Sequence, residues 1–346
     1  MSNPMSTFQV TFWGVRGSRP TPDFSHFRYG GNTSCVEVQA GGQTIILDAG
    51  SGLTELSHSL TQRARQTQDD ATRATLLFSH LHHDHTQGLP FFFPAFNPHN
   101  RIHIFGPDLT GNGFPHDINE IVMPPYFPLT LSDMRGVCGV QDFLLNHVLL
   151  LGGDLPGPLL RSADAPDIPG QEAMVKVEGL FAQEHPNDIL YYRISYRGRS
   201  LVYASDREPE TVRGIDAFSR FAHHTDLLIH DAQYTEAHYF GLQPGSPCTK
   251  GWGHSYTKLA CKAATAAGAR QLVLTHYDPE YDDATVDEIG RRAQNWYSGA
   301  QLAYEGMTID LTPTQPPPQL PAPHPADAET DLDFWMQDSK TRPSRN

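Results

Sequence analysis

The stretch from Ala74 to Gly88, ATLLFSHLHHDHTQG, constrains this chain more than any other. A short apolar run, Leu76 to Phe78, stops at Ser79 and is followed at once by His80, His82, Asp84 and His85. In an extended segment alternate side chains share a face, so His80 and His82 project together while Asp84 and His85 emerge as the chain turns away. Imidazoles and a carboxylate grouped behind a buried strand have no packing rationale. They are the donor types that divalent cations take. The order predicts a dinuclear metal site, one pair for each ion. His83 points away by the same alternation and reads as a structural neighbour.

Charge narrows the partners. Against 25 Lys and Arg stand 39 Asp and Glu, a formal net charge of −14 over 346 residues. Long nucleic acid wants a basic footprint and is disfavoured. A small anionic substrate stays open, because bound cations invert the local field. Cys35, Cys138, Cys248 and Cys261 are widely spaced, which indicates neither a zinc knuckle nor a disulfide framework and suits reduced thiols in a cytoplasmic protein. The N-terminus has no basic and apolar leader, and no stretch is apolar enough to span a bilayer, so a soluble, non-exported protein is expected.

Along the chain, Thr7 to Trp13 alternates as a strand and ends in the loop Gly14 to Pro20, whose Arg16 is a candidate substrate contact. Ser34 to Gln39 and Gln43 to Leu47 flank a glycine turn and predict a hairpin. Asp48 follows, placed either to orient a metal-bound histidine from behind or to cap the helix that opens near Leu53. Between Pro107 and Gly139 the exposed aromatics, Tyr126 among them, suit a stacking wall or a packing loop. Leu149 to Gly170, rich in Gly and Pro, reads as a surface insertion. Strands resume over Ala173 to Gln183, Ile189 to Tyr196 and Arg199 to Ala204, then a helix over Glu208 to His223, a strand over Leu227 to His230 and a helix over Tyr256 to Ala267. After a strand at Gln271 to Leu274 and a helix at Asp282 to Trp296, a last hairpin is expected from Leu302 to Leu311. The domain is therefore placed at 1–312. The Pro-rich segment 313–346 cannot bury a core and is expected to be a disordered tail.

His185, Asp206 and His276 each fall at a strand end, as His80 does. With the gapless H-x-H-x-D-H motif they resemble the metallo-β-lactamase fold, a four-layer αββα sandwich of the α/β class. The resemblance covers Thr7 to about Leu311. It implies that His80, His82 and His185 hold one ion, that Asp84, His85 and His276 hold a second, and that Asp206 bridges them. The cofactor implied is a pair of Zn²⁺ ions, with Mn²⁺ as the alternative. Such a pair lowers the pKa of a bridging water and stabilises charge on a phosphoryl or acyl oxygen, which points to a hydrolase. Flavodiiron reductases carry glutamate where His82 stands, and β-lactamases carry cysteine where Asp206 stands, so neither chemistry is favoured.

LLIHDAQY, Leu227 to Tyr234, and the run from Gly253 to His276 resemble the phosphodiesterase branch that includes ribonuclease Z. There an acidic residue and a histidine protonate the leaving group. Here these would be Asp231 and His254, with aspartate replacing the more usual glutamate. FWGVRGSRPTP, YGGNTSCVEV with Asn32, and ILDAGSGL are similar to the smaller members, the phosphoribosyl cyclic phosphodiesterase and anti-Pycsar enzymes. The resemblance implies a small phosphodiester substrate, a cyclic nucleotide or sugar cyclic phosphate, and a homodimer is common among such proteins. Asp84, Asp231 and His254 are the catalytic candidates, and Asp48, Arg16, Asn32 and Tyr126 the supporting ones. A thioester or lactone hydrolase and a tRNA 3′-processing nuclease are the alternatives, and an intact donor set disfavours a sensor without turnover.

Overall fold

Alternation sets the layers. The computed structural model describes residues 7–66, 71–183, 185, 188–209, 212–242 and 245–313, without side chains at 212–216. The first strands are β1 (Phe8–Gly14), β2 (Cys35–Ala40), β3 (Gln43–Leu47), β4 (Arg73–Leu77), β5 (Arg101–Gly106) and β6 (Val137–Asp142). In β3, Ile45 and Leu47 join the core between the sheets, while Ile46 joins a second core beneath the helices α1 (Leu53–Arg65) and α3 (Phe114–Ile121). A strand buried on both faces requires that period. Between α1 and α3 lies the single turn α2 (His83–Thr86).

The second sheet takes β7 (His147–Leu151), β8 (Leu159–Ser162), β9 (Val175–Ala182), β10 (Ile189–Tyr196), β11 (Arg199–Ala204), β12 (Leu227–Asp231), β13 (Leu272–Thr275) and β14 (Ala300–Leu302). β11 to β14 run parallel and β11, β12 and β13 are nearly unbroken apolar runs, as strands covered on both faces should be. Helices α4 (Val212–Phe221), α6 (Thr257–Ala267) and α7 (Asp283–Trp296) pack outside them, with the short α5 (Glu236–Tyr239) between α4 and α6 in the chain. Asp282 caps α7 through Thr285, and Gly268, left-handed at φ 61°, ends α6. β15 (Thr308–Asp310) returns to β1, so the sheet orders are β15-β1-β2-β3-β4-β5-β6 and β14-β13-β12-β11-β10-β9-β7-β8. The layers are αββα. Each Leu, Ile or Phe fully buried between them contributes about 1.5–3 kcal/mol. Two tyrosines tie the sheets at one edge: Tyr192 donates to Phe78 O at 2.7 Å and Tyr203 to Asp48 Oδ2 at 2.7 Å.

Three expectations change. Leu149 to Gly170 is not a surface insertion at its start: Leu149, Leu150 and Leu151 are buried in β7, and the following Gly and Pro residues make the turn into β8. The last two strands are not a hairpin, because β14 pairs with β13 while β15 pairs with β1 in the other sheet. The helix expected from Glu208 is described over Val212–Phe221, and Glu208 lies outside it. The tail expected from 313 falls, from residue 314 on, outside the described residues.

Candidate metal centre

Both sheets deliver donors to one edge. After β4 the chain gives His80, His82, Asp84 and His85. β11 leads to Asp206, β13 to His276, and the segment between β9 and β10 holds His185. Asp48, Asp206 and His276 all have left-handed backbones, at φ 59°, 52° and 63°. Asp and His tolerate that region better than most residues, at a cost that surrounding contacts must offset. Asp48 shows such contacts. Its Oδ1 accepts from Ser79 N at 2.7 Å, and its Oδ2 accepts from Ser79 Oγ at 2.8 Å and Tyr203 Oη at 2.7 Å. Oδ2 also lies 2.7 Å from His85 Nδ1, which leaves His85 Nε2 to face the site. Of its two expected roles Asp48 therefore takes the orienting one, and Gly52 occupies the helix cap.

Three groups of donor atoms each fit within 4.8 Å: His80, His82, His185 and Asp206; Asp84, His85, Asp206 and His276; and Asp206, Asp231, His254 and His276. Asp206 belongs to all three. Its Oδ2 lies 3.2 Å from His80 Nε2 and from His85 Nε2, and its Oδ1 lies 3.0 Å from His276 Nε2. His276 Nε2 is 3.1 Å from Asp84 Oδ2. His80 Nε2 and Asp206 Oδ2 are buried without a hydrogen-bond partner. Converging nitrogen and oxygen donors with unused lone pairs fit a divalent cation, and zinc suits this donor set. Burial holds the imidazoles of His82 and His185 down at about 4 and about 3, in the neutral form a cation needs. Burial would raise the Asp206 carboxyl, yet His276, His85 and His80 outweigh it and hold it well below the usual range.

Beside this edge His254 Nδ1 donates to Asp231 Oδ2 at 2.8 Å, and Asp231 Oδ1 accepts from Gln233 N at 2.7 Å. The His254 ring stacks on His276 at 5.1 Å and meets His185 edge-on at 5.2 Å. Burial alone would lower the His254 imidazole, but the charge and hydrogen bond of Asp231 raise it to about 9. Its loop is held by Glu208, which the sequence offered only as a helix residue. The buried carboxylate accepts from Gly251 N at 2.8 Å, Gly253 N at 2.7 Å and Tyr239 Oη. Gly253 has φ 90°, where a side chain would be strained, and its carbonyl lies 3.0 Å from His185 Nδ1.

The supporting candidates divide. Arg16 is fully buried, and its guanidinium donates to Gly30 O and Tyr281 O at 2.8 and 2.7 Å, so it anchors loops and does not reach the site. Asn32 likewise bonds Glu305 and Ser51. The loop carrying Arg16 still serves the centre: Ser18 N donates to Asp84 Oδ2 at 2.6 Å, and a Cβ on Gly17 would fall 2.5 Å from the His276 ring. Tyr126 is exposed and, with His83, lines a cavity of about 660 Å³ beside His82. His83 joins no donor group, as expected from sequence; it opens α2 and is exposed beside this cavity.

A family model described as the metallo-beta-lactamase superfamily matches residues 28–218, more than half of the chain, and one described as the beta-lactamase superfamily domain matches 169–277. The chain belongs to the metallo-beta-lactamase superfamily. It is a metal-dependent hydrolase. Ribonuclease Z of Myxococcus xanthus is 25% identical over 333 residues, 89% of this chain and 99% of that protein. Ribonuclease Z of Haloarcula marismortui is 27% identical over 326 residues, 87% and 96% of the two chains. The metallo-beta-lactamase fold protein YhfI from Bacillus subtilis superposes with a TM-score of 0.59 at 19% identity, over 88% of this chain and 98% of that one, and supports the fold. Among the described residues no helix is long and apolar enough to cross a membrane.

Proposed function

We propose that this chain is a dinuclear, zinc-dependent phosphodiesterase that opens a small phosphodiester, a cyclic nucleotide or a sugar cyclic phosphate. The observation that carries the reading is the contact of the Asp231–His254 pair with two donor groups that share Asp206. When bound, the ions lower the pKa of a coordinated water and offset charge developing on phosphoryl oxygens. Asp206 and Asp84 supply the anionic donors, and Asp48 fixes His85. Asp231 holds Nδ1 of His254, so the proton on Nε2 is the one available. A water oxygen would bond to phosphorus and give up its proton to solvent while the P–O bond to the leaving group breaks; the His254 proton passes to the departing alkoxide oxygen, and His254 is reprotonated from solvent. A thioester releases a thiolate, which departs without that proton, so a thioester is disfavoured.

Phosphodiester hydrolysis is also what the relatives named ribonuclease Z suggest. They favour a second reading, tRNA 3′ processing, and stand against the expectation that a chain of charge −14 avoids long nucleic acid. Zinc- or manganese-loaded protein should hydrolyse bis-p-nitrophenyl phosphate, and Asp84→Ala should abolish this. A wild type inactive with every divalent metal sinks the reading. Among active preparations, 3′,5′- and 2′,3′-cyclic nucleotides are compared with precursor tRNA. Faster cleavage of the tRNA replaces the small substrate.

A further inference from the structure

An imidazole that gives one nitrogen's lone pair to a cation carries its proton on the other, and a buried N–H needs an acceptor. Three of the donor histidines have one. His85 Nδ1 meets Asp48 Oδ2 at 2.7 Å, His185 Nδ1 meets Gly253 O at 3.0 Å and His80 Nδ1 meets Ser79 Oγ at 3.1 Å. His276 differs. Its Nε2 faces Asp206 and Asp84, whereas its Nδ1 is buried with no hydrogen-bond partner among the described residues. Gln233 has the complementary defect: the residue is 3% exposed, and its Oε1 is a buried acceptor that likewise lacks a partner among the described residues. Both atoms border Gly17, where a Cβ would fall 2.6 Å from His276 Nδ1 and 2.8 Å from Gln233 Oε1. The absence of a side chain at Gly17 keeps the space that they share open.

The remaining polar atoms of Gln233 are all engaged. Its backbone N donates to Asp231 Oδ1 at 2.7 Å, its backbone O accepts from Asp278 N at 3.2 Å, and its Nε2 donates to Tyr234 Oη at 3.1 Å and Ser18 Oγ at 3.4 Å. The opposite amide orientation would set an NH₂ group against the Nδ1 proton. We propose that Gln233 is a positioning residue for His276: its Oε1 accepts the Nδ1 proton, directly or through one water, and so fixes the ring with Nε2 towards the cation. An acceptor behind a ligand histidine sets its tautomer and orientation and raises its basicity. Gln233 thereby joins two parts of the site, since its backbone holds Asp231 of the acid pair and its side chain serves the group of Asp84, His85, Asp206 and His276. The proposal rests on His276 holding a cation, as the dinuclear reading requires.

The test measures the zinc affinity of the full chain, by competition with a chromogenic chelator, for wild type, Gln233→Met and Gln233→Glu. Methionine keeps the length of the side chain and removes the acceptor. Glutamate keeps the acceptor, and its second oxygen accepts from the Ser18 and Tyr234 hydroxyls. In Gln233→Met one of the paired ions should be held about 10–100-fold more weakly, while Gln233→Glu should hold both at least as tightly as wild type. Were shape alone at work, methionine would bind zinc as wild type does; were the amide N–H at work, glutamate would lose as much as methionine. Either result overturns the proposal. Magnetic resonance of the zinc-loaded wild type and Gln233→Glu, with nitrogen-labelled histidine rings, needs no folded methionine variant. One Nδ1–H resonance should move downfield on the change to glutamate, because the hydrogen bond becomes charge-assisted. No such movement also overturns the proposal. Zinc binding unchanged in both variants defeats this inference alone, whereas a wild type that binds no zinc defeats the reading beneath it.

Discussion

In the seven-stranded sheet one turn after β4 supplies four donors within six residues, and a single carboxylate behind it, Asp48, fixes the turn. The eight-stranded sheet has no such turn. Its donors come singly, from the ends of β11 and β13 and from the segment before β10, and the acid we propose, His254, sits on a glycine-bearing loop tied down by Glu208. The difference is one of redundancy. A clustered turn shares one support among neighbouring donors, whereas each dispersed donor depends on its own segment, and Asp206 is common to all the groups.

The comparison fails first at Asp206 if it is wrong. Asp206→Ala should remove the shared donor, lowering both bound metal and phosphodiesterase activity by about a thousandfold or more in the latter. Metal analysis that finds one group still filled and active would show that the groups are independent. Asp48→Asn strikes the clustered side from behind, and metal affinity should fall about 10–100-fold with the protein still folded. Glu208→Gln strikes the dispersed side. A decrease in kcat of about tenfold, with metal content and KM little changed, is the signature of a misplaced His254. A fall in metal content instead would make Glu208 a support of His185.

A further effect concerns stability. His230 is buried against Arg207, and burial followed by that charge holds its imidazole down at about 3. The unfolded chain binds a proton there near pH 6.5, so the fold binds fewer protons between these values. Stability should be complete above about pH 6.5 and fall by up to about 1.4 kcal/mol per pH unit as acid approaches pH 3. Denaturant titrations should show a shallower acid loss for His230→Gln than for wild type.

The clustered half was legible because its ligands are consecutive and stand against an apolar run. His185, Asp206 and His276 were readable as strand endings, since β9 to β13 have strong patterns. Glu208 was not, because its partners are backbone amides of Gly251 and Gly253, distant in sequence and without side chains to signal a pairing. Arg16 misled for the same reason: its partners are the carbonyls of Gly30 and Tyr281. β7 was hidden by the glycines at 152 and 153, which give turn chemistry the look of a surface insertion.

The central claim is that the two halves meet to expel an alkoxide, with His254 delivering the proton. It is tested most directly by turnover of paired diesters, one losing p-nitrophenolate, which departs without a proton, the other losing an alkoxide, by wild type and His254→Ala. The variant should lose about 10²–10³-fold on the alkoxide diester and only a few-fold on the p-nitrophenyl one. Equal losses on both, with metal content intact, would contradict it.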